Sequence, residues 1–185
     1  LYDCIEWAAN QPWSNGNVGL CGISYYACIF WMTAELQPPH LKAMVAWEGH
    51  SDRYRCLIRH GGIYCTFEPD WYINQCIKMQ YGKGEYGVKS RVTGKSTAGS
   101  QTLSDEELAR NRVNINRKNL EHPLCDDFQK DHMSLDLSNI KCAVLAAGNW
   151  GGQGLHLKGN IDGWLEAGTT NKWLEIHGRE HWTHF

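Results

Sequence analysis

The sequence predicts an α/β protein in which a mostly parallel β-sheet is flanked by helices. Two observations support this fold class. Short apolar runs of strand length alternate with helical patterns near both ends of the chain, and these runs lack the polar positions of a half-exposed sheet. The 185 residues are 42% hydrophobic, which is enough to bury the core of one domain.

The first fifty residues predict a helix followed by a β-α-β unit. Residues 1–10 place apolar side chains at helical spacing before a turn-rich segment. Residues 18–23 form an apolar run bounded by glycines, as expected of a buried strand. Residues 25–36 are apolar nearly all round and stop before two prolines, which predicts a buried helix. Residues 41–47 predict the next strand, reached by a right-handed crossover.

The pattern changes in residues 51–139, where aromatic and polar residues form helix-like clusters around a stretch rich in Gly, Ser and Thr. Within this region, Ser104 and Glu107 have the spacing of a capping box, which predicts the start of a helix. We interpret the region as an insertion that separates residues 1–50 from residues 140–185.

After the insertion, the alternation of strands and helices resumes. Residues 140–147 form a third apolar run, residues 159–167 predict a helix, and residues 173–176 predict a short fourth strand. The two ends of the chain therefore build one core together.

Charge and cysteine content argue against several classes of function and location for this chain, as predicted from the sequence. The net charge of −2, with acids and bases interspersed, predicts no nucleic-acid partner and no membrane anchor. No apolar stretch approaches the roughly 20 residues of a bilayer span. The eight cysteines form no CxxC pair and fall partly in apolar runs, so we expect free thiols, a cytoplasmic location and no metal site. Since the chain lacks an initial Met and enters a predicted helix at once, we expect a fragment.

Ser24 is the candidate nucleophile. It stands between a predicted buried strand and a predicted buried helix, with the small residues Gly22 and Ala27 nearby. A sharp strand-to-helix turn needs small residues, because the backbones approach closely around the exposed hydroxyl. The backbone N–H of Tyr25, at the helix start, is then the candidate oxyanion-hole donor. The alternative is that Ser24 only caps the helix.

The segment Gly22-Ile23-Ser24-Tyr25-Tyr26-Ala27 resembles the X-prolyl dipeptidyl peptidase and cocaine-esterase-like (CocE/NonD) branch of the α/β hydrolases, whose elbow reads G-x-S-Y-x-[GA]. The stricter G-x-S-x-G pattern is not met, because a tyrosine replaces its last glycine. Residues 38–43 and 51–55 resemble the same branch. The resemblance implies an α/β-hydrolase core formed by residues 1–50 and 140–185, with residues 51–139 as an inserted helical cap.

His181 is the candidate general base. It follows the last predicted strand, where α/β hydrolases place the catalytic histidine, and it comes after the serine in the chain. His177 and His184 are the competing histidines.

The acid that must orient this histidine is left open by the sequence. The resemblance implies an Asp in the turn after the third strand, but Gly151-Gly152 stands there and the turn holds no carboxylate. Asp162 is the first choice among the nearby carboxylates, and Glu166 and Glu180 are the alternatives.

We therefore expect a serine hydrolase that works without a cofactor. The resemblance implies either an X-Pro dipeptide at the free amino end of a peptide or an acyl ester or amide as the substrate. Trp150, Trp71 and Tyr72 are candidates for lining its pocket, because large flat apolar surfaces suit prolyl and acyl groups. Core packing is their alternative role. The competing hypothesis is a catalytically silent binding module, which the missing acid favours.

Overall fold

The structure is a computed structural model of the chain. It describes residues 1–76, 88–97, 103–131, 133, 136–152 and 155–181. The chain divides into two compact units, which are described separately. The first unit joins Leu1–Cys65 to Leu124–Phe185, and the second is Thr66–Pro123.

A parallel β-sheet forms the centre of the first unit. Its strands are β1 (Val18–Ile23), β2 (Leu41–Trp47), β3 (Ala143–Asn149) and β4 (Lys172–His177). The strands lie in the order β1-β2-β3-β4, and each neighbouring pair is parallel. The carboxyl ends of all four strands therefore meet at one edge, where ligand sites of open parallel sheets form.

Helices flank this sheet and also make up most of the described second unit. In the described residues, the α-helices are α1 (Tyr2–Ala9), α2 (Tyr25–Ala34), α3 (Phe67–Trp71), α4 (Asp105–Arg110), α5 (Ile115–Glu121), α6 (Asp127–Lys130) and α7 (Leu157–Glu166). Shorter helical turns are π-helical at Tyr54–Ile58 and Tyr72–Cys76, and 3-10-helical at His60–Gly62 and Leu137–Asn139.

The core of the first unit fixes α2 and α7 against the sheet. Trp31 of α2 is fully buried, and its ring occupies the space that a side chain at Gly163 of α7 would need. Its indole N–H donates to Oδ1 of Asn160, at 3.3 Å. The Asn160 amide in turn donates to the carbonyl of Ala46, at 3.1 Å. These contacts tie together the two helices that begin beside the carboxyl edge of the sheet.

The predicted bounds of β1 and β2 are confirmed, and α2 ends two residues earlier than predicted. The third strand was predicted at residues 140–147 and instead spans Ala143–Asn149. Ile140 has an extended backbone and caps the 3-10 turn Leu137–Asn139, but pairing with β2 starts only at Ala143. The strand continues to Asn149, which pairs with His177 of β4. The helix predicted at residues 159–167 begins earlier, at Leu157.

The second unit contains the predicted capping box. The amide of Glu107 donates to Ser104 Oγ at 3.3 Å, and the Glu107 carboxylate accepts from the Ser104 amide at 2.9 Å. Tyr72 is buried and its hydroxyl donates to the carbonyl of Val113, at 2.9 Å. A cap spanning residues 51–139 stays a prediction. In the described part of the chain, no helix has both the length and the apolar character that a membrane crossing requires.

Candidate active site

Ser24 occupies a strained turn between β1 and α2. Its φ of 58° and ψ of −120° are unfavourable for a residue with a side chain, at a cost of about 1–3 kcal/mol. Its amide donates to the carbonyl of Trp47 at 2.9 Å, and its carbonyl accepts from the amide of Cys28 at 3.0 Å. A Cβ on Gly22 would lie 2.8 Å from Cβ of Tyr26, so glycine is needed there. The Ser24 hydroxyl makes no capping hydrogen bond to α2 and is available for chemistry.

The Ser24 hydroxyl contacts His156, which stands directly before α7. Its Nε2 lies 3.1 Å from Ser24 Oγ, and the residue is buried, with 4% of its surface exposed. The rings of His50 and His181 lie on either side, with centroids 5.7 and 5.4 Å from that of His156 and interplanar angles of 19° and 13°. The predicted base His181 is therefore next to the histidine that contacts Ser24.

Glu48 is the carboxylate of this cluster. It directly follows β2, has a φ of 48°, and is 1% exposed. One carboxylate oxygen contacts Nδ1 of His181, and the other lies 3.2 Å from Nε2 of His177. The His177 ring also stacks on Trp47, with centroids 5.5 Å apart. A buried carboxylate on Nδ1 of an imidazole is the arrangement that orients a general base.

The structure places Asp162 elsewhere. Its carboxylate pairs with the ammonium of Lys158 one turn earlier on α7, and it accepts a weak contact from the thiol of Cys56 at 3.7 Å. The same pair raises the pKa of Lys158. The alternatives Glu166 and Glu180 are exposed. The carboxylate beside His181 is therefore not any of the three that the sequence suggested.

The turn after β3, where the resemblance implied the acid, has a different role here. Asn149 closes it by accepting from the amide of Gly151 at 2.8 Å, and its side-chain amide donates to the carbonyl of Arg179. Arg179 stands two residues before His181. This turn therefore holds the loop that carries the histidine.

The remaining predicted residues have varied environments. Tyr25 begins α2, where first-turn backbone N–H groups lack partners within the helix. Trp150 is 59% exposed and its amide donates to the carbonyl of His177. Trp71 and Tyr72 belong to the second unit. The ring of Trp71 is partly exposed, whereas Tyr72 is buried. The competing base His184 lies outside the described residues.

Burial controls the protonation of the histidines near Ser24. Desolvation lowers the pKa of His156 to about 3, with smaller contributions from His50 and His181. Desolvation also lowers the pKa of His50 to about 4, and Arg53 adds to this effect. Both imidazoles are therefore neutral at pH 7.

The residues that come closest to a metal site are Cys28, His50 and His156. Their potential ligand atoms lie within 4.8 Å of one another. A closed structural zinc site needs four ligands, and only three converge here among the described residues. The Cys28 sulfur already accepts from the His50 amide at 3.3 Å, and His156 contacts Ser24. The three side chains already form hydrogen bonds with one another or with Ser24.

Sequence reasoning missed Glu48 and His156. The position of Glu48 could have been used to find it. Glu48 directly follows the predicted strand next to the one before Ser24, and residues that follow neighbouring parallel strands lie at the same edge of the sheet. His156 had none, since it lies 132 residues from Ser24 in a loop without a motif.

The chain resembles known proteins over its whole length. Residues 1–185 match the sequence profile of X-Pro dipeptidyl-peptidase (S15 family). Two crystal structures of a CocE/NonD family hydrolase from Staphylococcus aureus superpose with a TM-score of 0.75, at 39% and 37% identity, and cover 98% of the chain. The chain spans 28% of the length of those structures. A search of curated proteins found no match.

More distant structures share the fold. Acetyl xylan esterase 1 from a Thermoanaerobacterium species has a TM-score of 0.55 at 11% identity, covering all of this chain and 47% of its own. The acylaminoacyl peptidase of Pyrococcus horikoshii has a TM-score of 0.53 at 14% identity, covering 96% of this chain and 22% of its own. With the parallel sheet, these similarities confirm the predicted α/β-hydrolase core.

Proposed function

Because the chain belongs to the X-Pro dipeptidyl-peptidase (S15) family, we propose that it carries the catalytic core of a serine hydrolase that cleaves peptide, ester or amide bonds. The main observation that supports this proposal is the surroundings of the Ser24 hydroxyl. This hydroxyl lies on a strained turn beside a cluster of histidines, and one of these histidines contacts the buried carboxylate of Glu48. A serine that only caps a helix requires neither the histidines nor the buried carboxylate.

In the proposed reaction, Ser24 Oγ attacks the substrate carbonyl and His181 accepts the hydroxyl proton. His181 then returns the proton to the leaving group, and water releases the acyl group by the same steps. The Tyr25 amide donates to the oxyanion.

Glu48 takes the role of the acid in place of Asp162. It is almost fully buried and contacts Nδ1 of His181, so it fixes the tautomer in which Nδ1 carries the proton and Nε2 carries the lone pair. The Asp162 carboxylate is half-exposed and already paired with a lysine. Of these two carboxylates, only Glu48 is buried and in contact with His181, as an acid that orients the base must be.

His156 is a poor alternative base, although it contacts the Ser24 hydroxyl. The structure shows no carboxylate bonded to it among the described residues, and burial lowers its pKa to about 3. A general base works best with a pKa near the working pH. His181 remains the proposed base.

The substrate is proposed to be either an X-Pro dipeptide at a free amino end or an acyl ester or amide. Trp150 is the best-supported candidate for the acyl or prolyl pocket, since it is exposed and its backbone pairs with β4 beside the histidine loop. Within the second unit, Trp71 keeps an exposed face, whereas the burial of Tyr72 favours a packing role. We also propose a cytoplasmic location, because all eight cysteines are free thiols.

Two chromogenic substrates test the proposed function. Turnover of an X-Pro-anilide without turnover of a nitrophenyl ester would identify a peptidase, and the reverse would identify an esterase. Either activity should disappear in Ser24→Ala. If a chain with a cooperative thermal melt cleaves neither substrate, the proposal fails and the silent binding module takes its place.

A further inference from the structure

His156 has a contact that the proposed reaction does not use. Its Nε2 lies 3.1 Å from Ser24 Oγ, the atom that attacks the substrate, while the proton is assigned to His181. A neutral imidazole in this place must either accept the hydroxyl proton or donate its own N–H.

The surroundings of the ring decide between these two roles. Nδ1 of His156 is buried and has no hydrogen-bond partner within the part of the chain that the structure describes. A buried N–H without a partner is rarer and more costly than a lone pair without one. The proton therefore belongs on Nε2, and the imidazole donates to Ser24 Oγ. The serine hydroxyl keeps its own proton for another acceptor.

The burial of the His156 ring fixes both the position and the protonation state of its Nε2–H donor. His156 is 4% exposed and is stacked between the rings of His50 and His181. Its pKa of about 3 means that it does not become cationic in the range where hydrolases work. It is a fixed dipole with one N–H directed at the reacting atom, which costs no reorganisation during the reaction.

We infer that His156 is a catalytic residue whose Nε2–H donates to the oxyanion of the tetrahedral intermediate, as the side-chain partner of the Tyr25 amide. The inference rests on the proposed function. When Oγ bonds to the carbonyl carbon, the π electron pair moves to the carbonyl oxygen and the serine proton moves to His181. Oγ and the new oxyanion are then substituents of one carbon, so a donor in contact with the first is within reach of the second. His156 keeps its proton throughout, including the collapse that expels the leaving group.

Two substitutions distinguish a donor from a base. Gln in place of His156 retains an N–H near the position of Nε2 but accepts no proton, whereas Leu retains only the apolar volume. We expect His156→Leu to lower kcat by about 10²–10³-fold, as for the loss of one oxyanion-hole donor. We expect His156→Gln to retain most of the wild-type kcat. The exposed His60 provides the control, and His60→Leu should leave kcat unchanged.

The kcat values of the wild type and of the two His156 variants distinguish a failure of this inference from a failure of the proposed function. Equal losses in His156→Gln and His156→Leu would make His156 the base, and full activity in His156→Leu would remove it from catalysis. Either result overturns the inference while leaving the nucleophile Ser24 in place. An inactive wild-type chain that melts cooperatively would refute the proposed function itself. Thermal melts of both variants show whether a loss of activity reflects folding.

Discussion

The turns after β2 and β3 end neighbouring strands of one sheet, yet they contribute differently to the site. The turn after β2 begins with Glu48, which is buried against His181. The turn after β3 holds no carboxylate, and its Asn149 instead bonds to the loop that carries the histidine. Parallel strands bring their carboxyl ends together. An acid can therefore come from either strand, provided that it reaches the same imidazole nitrogen.

Removing the carboxylate at the end of β2 should lower turnover more than any other single change to these two turns. Glu48→Gln keeps the size of the side chain but can no longer fix the tautomer of His181 or stabilise the imidazolium. We expect kcat to fall by about 10⁴-fold, as in the triad in which the orienting Asp is replaced by Asn. Glu175→Gln on the exposed face of β4 is the matched control. A loss of less than tenfold would show that the acid lies elsewhere.

Low pH should destabilise the fold, because the histidines that follow β2 and β3 are buried in their neutral forms. The pKa values of His50 and His156 are lowered to about 4 and about 3, below that of an unfolded histidine. Between pH 6.5 and those values the unfolded chain binds more protons, so the free energy of unfolding falls as pH falls. Each histidine contributes a slope of up to about 1.4 kcal/mol per pH unit.

Urea titrations at a series of pH values measure this slope. His156→Gln removes one of the two groups, so its curve should be flatter than that of the wild type below pH 6.5. Identical curves for the two proteins would mean that His156 is not buried in its neutral form.

The turn after β3 should contribute stability rather than chemistry. Asn149→Asp replaces the amide donor to the Arg179 carbonyl with a carboxylate, which cannot donate. We expect a loss of about 1–3 kcal/mol in the free energy of unfolding, because the buried side chain at position 149 loses its hydrogen bond and places a charge beside a carbonyl oxygen. Chemical denaturation measures the loss, with the exposed Asn171→Asp as control. An unchanged free energy of unfolding in Asn149→Asp would contradict the stabilising role of this turn.

The smallest effect is expected at Asp162. Asp162→Asn breaks a partly exposed pair with Lys158 on α7, and such pairs contribute about 0–1 kcal/mol. We expect kcat to stay within about threefold of the wild type, in the range of a surface substitution. Steady-state kinetics on the Asn variant would reveal a loss near 10⁴-fold if Asp162 were the acid after all.

The sequence predicted the parts of the molecule that depend on local patterns. The bounds of β1 and β2 follow from apolar runs between turn residues, and the turn at Ser24 follows from the small residues beside it. The start of the third strand was misplaced, because Ile140 is as apolar as the strand and equally extended but lies before the first residue that pairs with β2, Ala143. The contacts of Glu48 and His156 depend on segments more than 100 residues apart in the chain, and no local pattern encodes them.

Labelling of the folded chain by a fluorophosphonate probe shows directly whether Ser24 is activated, because the probe reacts only with an activated serine. We predict labelling that disappears in Ser24→Ala and falls strongly in Glu48→Gln, while Asp162→Asn labels like the wild type. If the wild-type chain melts cooperatively but does not label, or if Ser24→Ala still labels, Ser24 is not an activated nucleophile and the account is contradicted.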